Sequence, residues 1–225
     1  MNPVPERTSP TSSIRACLVP HIPFGLIHGG AEVQAERTLQ KLNAQGNHVF
    51  WLDFTDTELL KQTDVFHFFG ASAEFGYWIH SAVPFRPVLV SPIFSEPSVL
   101  RRFAWKYERL LPGTTSRTVH RLLHEATLLL PNSHAEARQL QALFGVDESR
   151  IRVIPNGVDT DFVGTDPAAF RQRYLQDWPA DVPFVLCVGR IERRKNQLLL
   201  AQACLAAKAR LVLIGQLAPN TDLDY

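Results

Sequence analysis

Residues 14–54 read IRACLVPHIPFGLIHGGAEVQAERTLQKLNAQGNHVFWLDF. A short apolar run at Ile14–Val19 is followed by an amphipathic stretch at Ala31–Gln45 and by a second apolar run at Asn47–Phe54. Gly46 stands where the helix would end, a position that often needs positive φ. Strand, helix and strand in this order predict a βαβ unit with parallel strands.

The same alternation continues along the chain. It predicts further strands at 64–69, 87–93, 127–130, 150–154, 183–188 and 210–214, and further helices at 73–81, 99–110, 117–126, 133–143, 168–177 and 196–208. Ser133 and Glu136 have the spacing of a helix capping box, and Gly145 stands at the end of that helix. The fold class predicted from this order is α/β, with a Rossmann-like, doubly wound parallel sheet.

The composition is that of an ordinary globular protein. The chain has 225 residues, of which 45% are hydrophobic and 20% charged, and its 23 basic and 22 acidic residues give a net charge of +1. We therefore expect no nucleic-acid partner, because no overall positive field would attract one. Three cysteines far apart, with no apolar leader in residues 1–13, favour a cytoplasmic location.

Composition also divides the chain. Residues 1–13 are predicted to be a disordered tail, 14–155 an N-terminal Rossmann-like domain, and the Gly-, Pro- and Asp-rich stretch 156–182 a hinge. The remaining 183–225 provide only one β-α-β of a second domain, too little to bury both faces of a sheet. We expect this incomplete domain to expose apolar surface and to promote self-association.

A pair of glycines, Gly29 and Gly30, precedes the first long helix. Glycines let backbone approach a ligand closely, and the N–H groups at a helix start favour an anion. Position alone therefore indicates a phosphate or sugar site. A tight turn that needs positive φ explains the same glycines equally well.

Four cations follow the strand predicted at 183–188, in the sequence GRIERRK at 189–195. The carboxyl ends of strands are where open α/β sheets bind ligands. The guanidinium of Arg190 and the ammonium of Lys195 are suited to a diphosphate. A solvated basic loop is the alternative, and Arg193 and Arg194 need not contact the ligand.

One histidine, His67, lies within the apolar strand at 64–69. Alternation places Val65, His67 and Phe69 on one face and Phe66 and Phe68 on the other. A hydrogen-bonded core histidine is the commoner outcome of this pattern. Its place near the strand end also makes His67 a candidate to contact a sugar hydroxyl or to transfer a proton.

Asp159 and Asp161 form a DxD sequence of the kind that can bind a metal. They lie in a stretch of ordinary turn formers, so we interpret them as structural. The sequence has no cluster of His, Cys or Asp at metal-ligand spacing, and no GxGxxG, Walker A, GxSxG or HExxH motif. We expect no bound metal and no cofactor.

Six segments together resemble the family 4 glycosyltransferases, which are retaining enzymes with the two-domain GT-B fold. They are GGAEVQAERTLQKLNAQGNHV at 29–49, DVFHFFG at 64–70, PNSHAEARQL at 131–140, RIRVIPNGVDTDF at 150–162, FVLCVGRIERRKN at 184–196 and LVLIG at 211–215. The resemblance implies a nucleotide-diphosphate sugar as donor, bound between the two domains. It also implies a glycan, lipid or small-molecule acceptor on the N-terminal domain, with peripheral membrane contact as an option.

The resemblance also implies roles for individual residues. Gly29 and Gly30 would contact the donor through their backbone, Arg190 and Lys195 would hold its diphosphate, and His67 would lie at the sugar. Phe69 stands where the family often has a second histidine. In this family the diphosphate is usually bound without a metal.

The family's C-terminal pair of glutamates, spaced E-x7-E, is absent before Tyr225. We therefore expect a C-terminally truncated transferase that has no turnover by itself. Two alternatives stay open. One is a non-catalytic module that binds an acceptor or a protein, and the other is a sugar-nucleotide epimerase of the same architecture.

Overall fold

The computed structural model describes residues 13–21, 29–94, 105, 107, 110–111, 113–158, 166–179 and 181–217, except for the side chain of residue 194. They fall into two compact units, with the boundary after Gly157. This boundary lies inside the predicted hinge 156–182. The predicted tail 1–13, apart from its last residue, lies outside the described residues, as do the DxD residues 159–161 and most of the predicted helix 99–110.

Strands and helices alternate through both units. In the first unit the elements are β1 (Arg15–Val19), α1 (Gly30–Ala44), β2 (His48–Trp51), α2 (Thr57–Lys61), β3 (Val65–Phe69), α3 (Ala73–Ala82), β4 (Val88–Ser91), α4 (Thr115–Glu125), β5 (Leu128–Leu129) and α5 (His134–Phe144). In the second unit they are α6 (Pro167–Tyr174), β6 (Phe184–Val188), α7 (Gln197–Ala206) and β7 (Arg210–Ile214). Short 3₁₀ turns lie at Glu148–Arg150 and Arg193–Lys195.

The first unit is built on a parallel five-stranded sheet in the order β2-β1-β3-β4-β5. In the register, Leu18 of β1 lies beside His67 of β3, and His67 lies beside Leu89 of β4. This is a doubly wound order, in which the strand order reverses between β1 and β3. Such sheets bind ligands at that point. The predicted fold class is confirmed.

Each face of this sheet has its own buried core. Phe66 and Phe68 pack with residues of α3, α4 and α5, including Ile79, Leu122 and Leu140. On the opposite face Phe69 packs with Leu18 and with Ala35 of α1. The alternation predicted for β3 is therefore confirmed.

Two predicted strands differ from the structure, and one helix was not predicted. The strand predicted at 150–154 is reduced to a single bridge between Leu129 and Ile151. The strand predicted at 47–54 ends at Trp51, because Asp53 accepts hydrogen bonds from the backbone N–H and the hydroxyl of Thr55, at 2.8 and 2.7 Å, and so turns the chain. Helix α2 was not predicted; the Asp56 side chain caps it.

The predicted helix ends are confirmed. Gly46 and Gly145 follow α1 and α5 with φ of +86° and +68°. Ser133 accepts a hydrogen bond from the Glu136 N–H at 3.2 Å and so caps α5.

The second unit has a parallel pair of strands, β6 and β7, joined through α7. Apolar side chains of all three elements remain exposed. Examples are Leu186 at 50%, Val188 at 68% and Leu199 at 57%. Within the described residues of both units, no helix has the length and apolar character needed to cross a membrane.

Candidate functional site

Helix α1 begins at the second of the two glycines, Gly30. Gly29 is its N-cap with φ −148°, in extended backbone, and its carbonyl accepts the first helical hydrogen bond from Val33 N–H at 3.0 Å. A positive-φ turn is therefore not the reason for Gly29. A β-carbon added to Gly30 would meet nothing within 4 Å, so the space beside this residue is open among the described residues. The first-turn N–H groups point out of a helix start and can bind an anion.

His67 lies in β3, inside the core on the α1 face. It is 8% exposed, its Nε2 lies 2.9 Å from Ser91 Oγ, and its ring packs on Phe69 with a centroid distance of 4.2 Å. Burial lowers the pKa of His67 to about 4. The ring is therefore neutral at pH 7, and its role in catalysis stays a prediction.

Two polar side chains meet at the carboxyl ends of β1 and β3. His21 Nε2 lies 3.5 Å from Glu74 Oε1, and both side chains are more than two-fifths exposed. A β-carbon added to Gly70 would meet His21 Cδ2 at 3.5 Å, so the imidazole lies over this glycine. Nearby, Ser72 Oγ is buried with no hydrogen-bond partner among the described residues. The His21–Glu74 pair was not singled out from the sequence. The strand order, which places β1 beside β3, is the signal that identifies it.

The basic loop of the second unit begins at the carboxyl end of β6. Gly189 and Ile191 donate backbone hydrogen bonds to the carbonyls of Ile214 and Gln216, both at 2.8 Å. A β-carbon on Gly215 would overlap the carbonyl of Gly189, so the two backbone segments are in close contact. The start of the loop is thus held firmly against the strand that follows it.

A buried glutamine fixes the middle of this loop. Gln197, 4% exposed, donates from Nε2 to the Arg190 carbonyl at 2.7 Å, and its Oε1 accepts from Glu192 N–H at 3.4 Å. The side chain of Arg190 is one-third exposed, and its Nη2 lies 3.9 Å from Glu192 Oε2. An ion pair this long is weak, so the guanidinium can exchange it for a stronger anion.

Lys195 ends the same loop. It lies in the 3₁₀ turn Arg193–Lys195, its N–H donates to the Glu192 carbonyl at 2.9 Å, and the residue is exposed. The predicted pair of cations thus lies on one short loop of the second unit. Gly29, Gly30 and His67 all lie in the first unit. No three His, Cys, Asp or Glu side chains in the described part of the chain are arranged to hold a metal.

Glu136 is a further residue that the sequence did not assign to this region. It is 4% exposed, and its two carboxylate oxygens accept backbone hydrogen bonds from Phe94 N–H at 2.6 Å and Asn132 N–H at 2.7 Å. These two N–H groups follow β4 and β5. Glu136 therefore fixes the loops at the carboxyl edge of the sheet, although its side chain does not return to the Ser133 N–H as a full capping box would require.

Parallel α/β units of this kind occur in the GT-B fold, and solved structures that have this fold are similar to the chain. HepE from Anabaena, in complex with UDP and glucose, is similar with a TM-score of 0.58 over 90% of this chain and 61% of that chain, at 16% identity. At this identity the similarity concerns the fold alone. The GT-B fold predicted from the sequence is confirmed.

Sequence comparisons agree with the resemblance found in the motifs. The family model of Glycosyltransferase Family 4 matches residues 64–162, as the sequence motifs predicted. The D-inositol 3-phosphate glycosyltransferase of Pseudarthrobacter chlorophenolicus is 31% identical over 114 residues, which are 47% of this chain and 26% of that protein. A 4-alpha-N-acetylgalactosaminyltransferase of Campylobacter jejuni that acts on a diphospho-undecaprenol-linked sugar is 31% identical over 97 residues, or 42% and 25% of the two chains. The match thus spans about a quarter of these relatives.

Proposed function

We propose that this protein is a retaining glycosyltransferase, or a part of one, that uses a nucleotide-diphosphate sugar as donor. The observation that carries the proposal is the match of residues 64–162 to Glycosyltransferase Family 4. Other segments that resemble this family lie before and after the matched residues. UDP in the complex of the structural neighbour HepE supports the choice of a nucleotide sugar.

The basic loop after β6 is the proposed diphosphate site. Arg190 can present two N–H groups to phosphate oxygens, and Lys195 adds a compact positive charge. The two hydrogen bonds of the Gln197 side chain hold the loop backbone in place. Little conformational entropy would therefore be lost when the ligand binds. During transfer these cations would stabilise the negative charge that develops on the departing nucleotide. Because they supply this charge, we propose that the reaction needs no metal and no cofactor.

The first unit is the proposed acceptor side. The helix start at Gly29 and Gly30, in contrast, is proposed to contact the donor's phosphate or sugar through backbone N–H groups. The His21–Glu74 pair at the edge of the sheet offers an imidazole and a carboxylate to sugar or inositol hydroxyls. His67, which is neutral and hydrogen-bonded to Ser91, would hold β3 and β4 together below this edge of the sheet. The acceptor class (a glycan, a lipid or a small molecule) and a location in the cytoplasm stay predictions.

A second candidate function is a non-catalytic module. The observation that favours it is the second unit itself, where the two strands and α7 leave large apolar side chains exposed. Such a surface invites association with another copy of the chain. We expect the purified chain to self-associate in light scattering and to show no sugar transfer by itself. An epimerase would instead interconvert the sugar of a UDP-sugar without an acceptor.

Isothermal titration with UDP and GDP tests the donor proposal. We expect weak but measurable binding of one of them, because the two cations are in place. Gly30→Ala should weaken this binding, because the methyl group hinders close backbone approach at the α1 start, and it should change the free energy of unfolding by less than about 1 kcal/mol, since the added methyl has open space. A chain that binds neither nucleotide at millimolar concentration would contradict the donor proposal and favour the module. Sugar transfer by the purified chain would contradict the expected lack of turnover.

A further inference from the structure

Two arginines of the second unit lie against aromatic rings. Arg171 of α6 has its Cζ 5.2 Å from the centre of the Phe184 ring, and Arg210 of β7 has its Cζ 4.7 Å from the centre of the Trp178 ring. The two rings meet edge to face, with their centroids 6.1 Å apart. A chain of contacts through Phe184 and Trp178 therefore joins the two guanidinium groups. We call these four residues the arginine–aromatic cluster.

The arginine–aromatic cluster lies at the amino ends of β6 and β7. Phe184 and Arg210 are the first residues of the two strands and are paired in the parallel register, so their side chains project from the same face of the strand pair. The basic loop with Arg190 and Lys195 follows the opposite end of β6. The five residues of this strand extend roughly 16 Å, so the cluster and the basic loop cannot bind the same phosphate group.

Neither guanidinium of the cluster has an anionic partner among the described residues. In both Arg171 and Arg210, Nη1 is buried and has no hydrogen-bond partner within that part of the chain. The one hydrogen bond that the structure gives to either group is long, from Arg171 Nη2 to the Val182 carbonyl at 3.4 Å. A shielded cation without an acceptor costs free energy, and a bound anion would offset that cost.

A guanidinium that lies over a ring keeps its edge available for a ligand. The N–H groups point outward in the plane of the group, where two of them can bind two oxygens of one phosphate or carboxylate. Both Arg171 and Arg210 are partly exposed, so an anion can approach each of them from solvent while the rings shield the other side. Such shielding makes the attraction stronger than on an open surface.

We propose that the arginine–aromatic cluster binds a small polyanion, and that this site is separate from the donor site. The chemistry that recognises the ligand is that of an oxyanion group with two acceptor oxygens, as phosphates and carboxylates have, with one such group for each guanidinium. Because Arg171 lies on α6 and Arg210 on β7, the ligand would link the helix to the strand pair and stabilise the second unit. The inference does not depend on sugar transfer.

Isothermal titration of the full chain with inorganic pyrophosphate and with citrate tests this proposal, and the comparison distinguishes a phosphate ligand from a carboxylate ligand. The titrations use the Arg190→Ala chain, in which the basic loop is weakened. We expect at least one of the two compounds to bind with one ligand per chain. Arg171→Gln or Arg210→Gln, added to this chain, should weaken the binding about 10- to 100-fold, because each removes hydrogen bonds between charged groups.

Two further variants make the test specific. Arg173→Gln is the matched control, since Arg173 also lies over a ring on α6, 5.3 Å from the centre of Tyr174, but is exposed; this change should alter binding less than twofold. Arg210→Lys keeps the positive charge without the guanidinium fork, and it should weaken binding almost as much as Arg210→Gln. Circular dichroism confirms that each variant is folded.

UDP titrated into Arg171→Gln with an intact basic loop should bind as it does to the wild type, which separates this inference from the donor proposal. Three results would overturn the inference: no binding of pyrophosphate or citrate at millimolar concentration to the folded Arg190→Ala chain, an equal loss of affinity in the Arg173→Gln control, or unchanged affinity when Arg171 and Arg210 are both replaced. Each of them would leave the cluster with a purely structural role, in which it holds α6 on the strand pair.

Discussion

Acid should destabilise the first unit through His67. Burial lowers the pKa of this histidine to about 4 in the folded chain, whereas an unfolded chain keeps a value near 6.5. Above pH 6.5 both states leave the ring neutral, so His67 adds no pH dependence there. Between pH 6.5 and 4 only the unfolded chain takes up the proton, so stability falls as the pH falls, and the loss levels off below pH 4.

The size of the effect follows from the two pKa values. Each unit of pKa difference corresponds to about 1.4 kcal/mol, so at pH 4.5 the His67 contribution lowers the free energy of unfolding by roughly 2–3 kcal/mol relative to pH 7. Urea unfolding followed by circular dichroism at both pH values measures it. In His67→Gln, which keeps a hydrogen-bonding side chain opposite Ser91, the loss between the two pH values should shrink by that amount.

Val90→Ala is the matched control for this experiment. Val90 is fully buried in β4, next to the Ser91 partner of His67, but it has no titrating group. Its replacement should lower stability equally at both pH values. If His67→Gln and the wild type lose the same stability between pH 7 and 4.5, the ring is not held neutral by burial and the reasoning is refuted.

Three further predictions concern other buried positions. Gly76→Ala should cost roughly 2–3 kcal/mol in urea unfolding, because the new methyl would overlap the backbone carbonyl of Thr118 where α3 crosses α4. The control Gly30→Ala, with open space around it, should stay within about 1 kcal/mol of the wild type. Equal stability of the two variants would contradict the close contact between α3 and α4. Glu136→Ala should cost about 3 kcal/mol in the same assay, since two partly buried N–H groups lose a buried carboxylate acceptor. A loss under about 1 kcal/mol would show that water or other groups replace it. Burial raises the pKa of the Cys17 thiol to about 12, so it should react with a thiol reagent only at the rate of unfolding, and fast labelling of the native chain, located by peptide mapping, would argue against its burial.

Local patterns were enough to predict most of the fold. The alternation in β3 and the glycines that end α1 and α5 are properties of short segments, and each predicts its own structure. The strand predicted to run to Phe54 fails for a local reason as well, because Asp53 and Thr55 form a turn that ends it. Helix α2 has five residues, too few for apolar periodicity to show.

The site was less predictable, because its contacts join distant segments. The positions of Arg190 and Lys195 after a strand could be predicted, but the Gln197 side chain that clamps their loop could not. The environment of His67 depends on Ser91, which is 24 residues away and on a neighbouring strand. The two N–H groups held by Glu136 likewise come together only when β4 and β5 pair.

The loop after β6 is proposed to bind a diphosphate. Titration of the chain with UDP and UMP tests it most directly, because the ligands differ by one phosphate. We predict that UDP binds more tightly than UMP, that Arg190→Ala lowers UDP affinity about 10- to 100-fold and removes the difference, and that Arg173→Ala on α6 of the same unit changes neither. Unchanged UDP affinity in Arg190→Ala, in a variant that melts like the wild type, would contradict the claim.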